Sequence, residues 1–293
     1  VSREKKKLVL FSGPASSDIT GIKCSPYAAH WTYDTYALAH GTGAEVVKQG
    51  GNTWFFITAD YAFGYALQRD TTAVIEAAGG KVLGDVKVPL NTADFSSFLL
   101  QAQASKARVI GLANAGGDTM NSIKQGAEFG ITEGGQKFAA LLMFISDVHS
   151  LGLKAAQGLQ FTSAFYWDMN DETRAWSKRY FERMHSMPTM NHAGTYSAVH
   201  HYLNAVKALG TKDPDKVMAK MRETPINDFM TRNGTLRIDG RVVRDMYLLE
   251  VKKPEESHYP WDYLKVVQTI PGDKAFRPLD QGGCPLVKKA AAQ

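Results

Sequence analysis

Three consecutive stretches of this chain repeat one pattern: an apolar strand, a polar loop and an amphipathic helix. The strands read 53–58 (TWFFIT), 80–86 (GKVLGDV) and 107–112 (ARVIGL), recurring about every 27 residues. That is the length of a strand, a helix and two short connections. A strand that returns through a helix pairs in parallel with its predecessor, because the crossover carries the chain back to the end where it started. Ligands of open parallel sheets sit outside the carboxyl ends of the strands. The loops at those ends are 58–64 (TADYAFG), 89–94 (PLNTAD) and 113–118 (ANAGGD). They are small, polar and aromatic and hold no nucleophile–base pair, which predicts a binding mouth rather than an active site.

Around these units lie more elements. A short strand at 8–11 precedes a Gly-Pro-Ala-Ser-Ser loop, and 20–30 shows no regular pattern. An amphipathic helix is predicted over 33–49, stopped by Gly50 and Gly51. A fourth strand at 138–144 leads into a short helix, and a fifth at 159–163 ends at Phe165-Tyr166-Trp167-Asp168. Helices follow over 170–184, capped by Asn170 or Asp171, over 192–209, and over 213–222 with Pro214 in the first turn. A β-hairpin turning at Asp239-Gly240 spans 234–251, and a last strand spans 261–270. The helices after 170 have apolar faces, yet only strand 8–11 remains for them to cover, and one strand does not bury a face. This predicts a second lobe present in pieces, with most of its sheet outside the chain and a native start before residue 1.

Bulk properties narrow the function. With 293 residues, 44% hydrophobic and 22% charged, the chain can build the core of a globular protein of two domains. No run of 18 apolar residues exists. The net charge of +5 gathers near termini and turns, without a basic stripe bearing aromatics, so a solvated surface is expected and not a nucleic-acid face. The closest string to a dinucleotide fingerprint, 111–116 (GLANAG), lacks the middle glycine; no Walker loop or Gly-x-Ser-x-Gly is present. His192 lies eight or nine positions from His200 and His201, too far along a helix to share one ion, and no metal or other cofactor is expected. Cys24 and Cys284 each sit in a Pro-containing turn, outside any Cys-x-x-Cys. They are read either as two buried thiols or as a disulfide, the latter because exported chains that use few cysteines tend to pair them.

The order of these features resembles the type I periplasmic solute-binding proteins of ABC transporters, in the branched-chain amino acid binding family. The likeness rests on Ser12 to Ser17 after a strand, His30-Trp31-Thr32 at a crossover, Asp60 to Gly64, Asp94-Phe95-Ser96 opening a helix, Gly158-Leu159 at the fifth strand and Tyr196-Ser197-Ala198 in a late helix. It covers essentially the whole chain, which looks closest to members that take up aromatic carboxylates. The resemblance implies an α/β fold of two lobes, each a parallel sheet flanked by helices, with three crossovers and an incomplete first lobe. Residues 1–32 and 168–236 would form lobe one; 33–167 and 237–293 would form lobe two. It further implies a monomeric periplasmic receptor, not an enzyme, that closes around a small carboxylate and delivers it to permease subunits. Branched-chain or other amino acids are the alternative ligands, and a ligand sensor on the same fold the alternative role.

Ala15, Ser16 and Ser17 occupy the family position that grips a ligand carboxylate, a task that N–H groups and hydroxyls can share without a cation. Tyr61 and Phe63 take the place of ligand-facing aromatics; phenylalanine where the family has tyrosine makes the spot more apolar. Asn114, Ala115 and Asp147 fall in loops at strand ends, and Tyr166, Trp167 and Tyr196 at the second crossover and in the returning lobe. Each has a structural alternative: a capping turn for the serines, core packing for Phe63, a helix cap for Asp147, hinge packing for the crossover aromatics.

Overall fold

The computed structural model describes residues 1–290. Among them the strands are β1 (Val9–Phe11), β2 (Ala28–His30), β3 (Thr53–Ala59), β4 (Lys81–Val88), β5 (Val109–Ala113) and β6 (Lys137–Ala140). They continue with β7 (Gln160–Ser163), β8 (Thr235–Leu236), β9 (Val242–Val243), β10 (Met246–Val251) and β11 (Leu264–Ile270). The chain divides into two compact units. Unit one holds Val1–Asp34, Ala164–Met246 and the segment from Ile270 onward; unit two holds Thr35–Ser163 and Tyr247–Thr269.

The repeated pattern builds unit two. Strands β4, β3, β5 and β6 lie in that order in one parallel sheet, with Trp54 beside Val109 and Val109 beside Lys137. β3 and β5 are central and almost wholly buried, whereas the edge strand β4 alternates exposed and half-buried positions. Phe55, Ile57, Ile110 and Leu112 pack with Phe95, Leu99 and Ile123 from the helices into one core. Helix Ala62–Ala77 follows β3 closely because Gly64 lacks a side chain: a Cβ there would stand 2.0 Å from the Ala59 carbonyl oxygen.

Unit two departs from expectation in two places. The helix predicted over 33–49 is α-helical at Thr35–Leu38 and Ala44–Lys48, with a π-helical turn at Ala39–Gly43 between them. Thr162 of β7 presses on this turn: its Oγ1 hydrogen-bonds the Thr42 hydroxyl at 2.9 Å, and a Cβ on Gly41 would stand 2.1 Å from it. The fifth strand does not extend the parallel sheet. β7 pairs antiparallel with β10 in a separate sheet ordered β11-β10-β7, with Thr162 opposite Leu248. Its partner arrives some 85 residues later in the chain, beyond the reach of local pattern.

In unit one, β1 pairs in parallel with β2, Val9 opposite Ala28. β2 falls in the stretch read as patternless; Ala28, Ala29 and His30 are all buried and show no alternation. The expected long hairpin is shorter, β8 pairing with β9 around the turn while β10 leaves for unit two. Helices Asp171–Met184, Met190–Leu209 and Pro214–Glu223 begin at Asn170, Thr189 and Asp213, whose side chains accept from the amides of Thr173, Asn191 and Lys216. Gly194 admits Thr32 against the second of these helices, and Trp31 Nε1 donates to Ser197 Oγ at 2.8 Å. Trp31, Ala198, Val217, Met218, Met221 and Val242 form the core.

The unit boundaries also differ from those inferred from sequence. Residues 237–246 and the segment from Ile270 belong to unit one, so the chain changes unit at 34/35, 163/164, 246/247 and 269/270. Long-range bonds explain the assignment. Cys24 is disulfide-bonded to Cys284, Arg241 pairs with Asp34 at 3.3 Å, and Arg277 donates to Ser17. No hydrophobic pattern announces such contacts. Among the described residues no helix is long and apolar enough to cross a membrane, and no group of three His, Cys, Asp or Glu is disposed to hold a metal ion.

Candidate functional site

The Ser-rich loop of unit one is held from several sides. After β1 the chain turns through Gly13 and Pro14 into a short 3-10 helix at Ser17–Thr20, whose N-cap Ser16 accepts from the Asp18 amide at 3.3 Å. His30 Nε2 donates to the Pro14 carbonyl at 2.7 Å, and Tyr33 Oη donates to the Gly13 carbonyl at 3.0 Å. Arg277 Nη2 donates to Ser17 Oγ at 2.9 Å. Ala15 and Ser17 are buried and Ser16 is half-buried. Among the described residues no acceptor is found for the amides of Ala15 and Ser16. The loop therefore offers backbone N–H groups and hydroxyls in a fixed frame, the donor set a carboxylate needs.

His30 stays neutral in this frame. Burial pushes its pKa well below the usual histidine value, and the nearby Arg241 charge adds to the effect. Arg241 is itself fully buried, paired with Asp34 and lying 4.4 Å over the Phe276 ring; desolvation lowers its pKa to about 10. None of His30, Tyr33, Asp34, Arg241 or Arg277 was singled out from sequence. Only His30 carried a signal, as part of the crossover motif.

Tyr166, Trp167 and Tyr196 also belong to unit one. Tyr166 is buried and meets Trp167 edge-on, with ring centroids 6.1 Å apart. Tyr196 is 45% exposed and belongs to an aromatic cluster: it packs edge-on against Trp176 at 5.6 Å, while Trp176 stacks on Phe229 at 4.3 Å.

In unit two the singled-out residues stand at the carboxyl ends of the parallel strands, as the repeat predicted. Tyr61 precedes helix Ala62–Ala77 and is 40% exposed; its ring centroid lies 5.7 Å from that of buried Phe63. Asn114 is buried and ties its loop to helix Gly117–Glu128, accepting from Thr119 Oγ1 at 2.8 Å and donating to Ser122 Oγ at 3.3 Å. Ala115 beside it is half-buried.

The acidic residues at these strand ends are all engaged by their own surroundings. Asp60 accepts from the Tyr65 hydroxyl, and Asp94 from the Ser96 amide at 2.9 Å. Burial raises the pKa of Asp118 from its ordinary value, against hydrogen bonds from the Asn91 and Thr92 backbone. Asp147 accepts from the Phe144 amide at 2.9 Å, a helix-capping role for helix Ile145–Leu151. Desolvation pushes its pKa to about 6 despite that bond.

The fold has counterparts among known proteins. The profile of the periplasmic binding protein family matches residues 1–256. The chain belongs to this family. A crystal structure of a periplasmic binding protein from Burkholderia mallei is 55% identical, with a TM-score of 0.96 over 98% of this chain and 76% of that one. A branched-chain amino acid ABC transporter periplasmic ligand-binding protein from Burkholderia xenovorans LB400 is 40% identical, with a TM-score of 0.85 over 97% of this chain and 76% of that one. Among curated proteins, a Leu/Ile/Val-binding protein homolog 6 of Brucella melitensis is 24% identical over 92% of this chain and 70% of its own length.

Proposed function

We propose that this protein is the periplasmic receptor of an ABC importer for a small carboxylate lacking an amine, an aromatic acid by preference. It acts as a monomer, hands its ligand to membrane permease subunits, catalyses no reaction and binds no nucleic acid. In unit one, Ala15, Ser16 and Ser17 take the carboxylate, with Tyr166, Trp167 and Tyr196 as aromatic contacts. In unit two, Tyr61 and Phe63 offer an apolar face, Asn114 and Ala115 a polar edge, and Asp147 an acceptor for a ligand hydroxyl.

The observation that carries the ligand class is the state of the strand-end carboxylates. The ammonium group of an α-amino acid is matched most strongly by an ionised carboxylate. Asp60, Asp94, Asp118 and Asp147 each already accept from their own surroundings, and Asp118 and Asp147 are further pushed toward the neutral form. A desolvated carboxyl that already accepts from its own surroundings is a weaker ammonium partner than a free, solvated one. The second reading, a receptor for branched-chain amino acids, is favoured by the relative from B. xenovorans that carries that description.

A thermal-shift series with benzoate and its hydroxy derivatives, with leucine, isoleucine and valine, and with short aliphatic acids tests both. At a hundredfold excess over Kd a bound ligand adds about 2.7 kcal/mol, a rise of roughly 5 °C for a chain of this size. Aromatic acids should give that rise. Stabilisation by the amino acids alone would establish the second reading, and a flat response to every carboxylate would remove the role given to the Ser-rich loop.

A further inference from the structure

The loop after β4 contributes no residue to the site proposed above, yet it is tied down along its whole length. We propose that this loop, 89–95, is a preset wall of the ligand mouth in unit two and that Leu90 is its apolar contact with the body of the ligand. The inference rests on the receptor reading above and adds a specificity-determining residue to it.

One face of helix Gly117–Glu128 does the tying. Asp118, Asn121 and Gln125 follow at intervals of three and four residues and so stand in a row along it. The Asp118 carboxylate accepts from the amides of Asn91 and Thr92. Asn121 Nδ2 donates to the Thr92 carbonyl at 3.3 Å. Gln125 Nε2 donates to the Ala93 carbonyl at 2.8 Å, while its Oε1 accepts from the Phe95 amide at 2.7 Å. Within the loop, Thr92 Oγ1 donates to the Pro89 carbonyl at 2.7 Å, and Phe95 anchors the far end in the core. Asn91 is left-handed, with φ of 60°, a conformation asparagine tolerates and its bonded neighbours hold. Pro89, Leu90, Asn91, Ala93 and Asp94 are nevertheless exposed, so this order gains the loop little burial. A loop ordered before binding spares the complex that entropic cost, which is the use a receptor has for it.

The wall stands next to Tyr61. The Asp60 amide donates to the Val88 carbonyl at 2.9 Å, which sets the residues after β4 beside those after β3. Burial, and then the Asp118 charge, raises the Tyr61 pKa, so the phenol lies within electrostatic reach of the carboxylate that holds Asn91. Leu90 is 53% exposed, a large apolar side chain left open at the same end of the sheet as the half-open Tyr61. A leucine added to Tyr61 and Phe63 suits a ring or a branched alkyl body and offers no polar group to an ammonium.

The test is calorimetric titration of the tightest-binding acid of the thermal-shift series into wild type and five variants. These are Leu90→Met, Leu90→Ala, Leu90→Ser, Gln125→Ala and the Leu90→Ser/Gln125→Ala double. Leu90→Met should bind within about twofold of wild type, Leu90→Ala about threefold and Leu90→Ser about tenfold more weakly, the last being the worth of roughly half a leucine side chain kept from water. All three should keep the wild-type urea midpoint, because Leu90 is exposed without ligand. Gln125→Ala, which releases the loop, should weaken binding about fivefold alone and less than about twofold on the Leu90→Ser background, where the loop has no leucine left to present. Binding by Leu90→Ser within twofold of wild type would overturn the contact, and an equal loss for Gln125→Ala on both backgrounds would overturn the preset wall; either leaves the receptor reading intact. If no acid of the series binds wild type, that reading fails and this inference with it.

Discussion

Asp147 illustrates how one residue can serve the fold at an electrostatic cost. Its carboxyl is buried and pushed up to about 6, above the model-peptide value of 3.8, so the protonated form is the one the fold prefers. The associated stability is full below about pH 4 and is lost as pH rises through about 6, a change of about 3 kcal/mol. Asp147→Asn keeps the shape and cannot ionise. In urea titrations the stability difference, variant minus wild type, should therefore climb between pH 4 and pH 7; a difference that stays level would show that Asp147 is not desolvated in solution. From sequence Asp147 stood equally as ligand group and as helix cap, because both need an acid next to the same helix start. The hydrogen bond to Phe144 displays the capping role. Gly64 was more legible, since a small residue opening a helix after an apolar strand has few spatial solutions. Arg241 and Arg277 were not, because their partners lie far along the chain.

At the level of elements, the π-helical turn at Ala39–Gly43 packs directly on Thr162, with no room for a side chain at Gly41. Gly41→Ala should cost about 1–3 kcal/mol in chemical denaturation, as inserting a methyl into a packed contact does. A cost below about 0.5 kcal/mol would mean that β7 and the helix shift apart freely. Periodicity predicted a helix over 33–49 and was right about its apolar face, but hydrophobic pattern does not encode which turn must widen. Likewise β3, β4 and β5 were readable from repeating strand–helix signals, whereas β2, three buried residues without alternation, gave none. β7 looked like one more parallel strand because a short apolar run carries no mark of strand direction.

For the whole molecule, the Cys24–Cys284 disulfide closes a loop of 260 residues within unit one. Chain-entropy arguments assign such a cross-link about 5.6 kcal/mol, whereas removing a native disulfide commonly costs about 2–5. Reduction, or Cys24→Ser with Cys284→Ser, should lower stability in that range, and alkylation in denaturant should label both thiols only after reduction. An unchanged denaturation midpoint would show that the tail is held by Arg241, Arg277 and Arg237 contacts without the cross-link. The sequence by itself determined the parallel α/β architecture and the strand-end loops, because these follow from local periodicity and short connections, and it pointed to the family through resemblance. Only the tertiary structure decided which unit owns the segment from Ile270, which strand partners β7, and which buried charges fix the Ser-rich loop. Those depend on pairings between distant residues, and a buried arginine or an unpatterned strand acquires its meaning from the partner it meets.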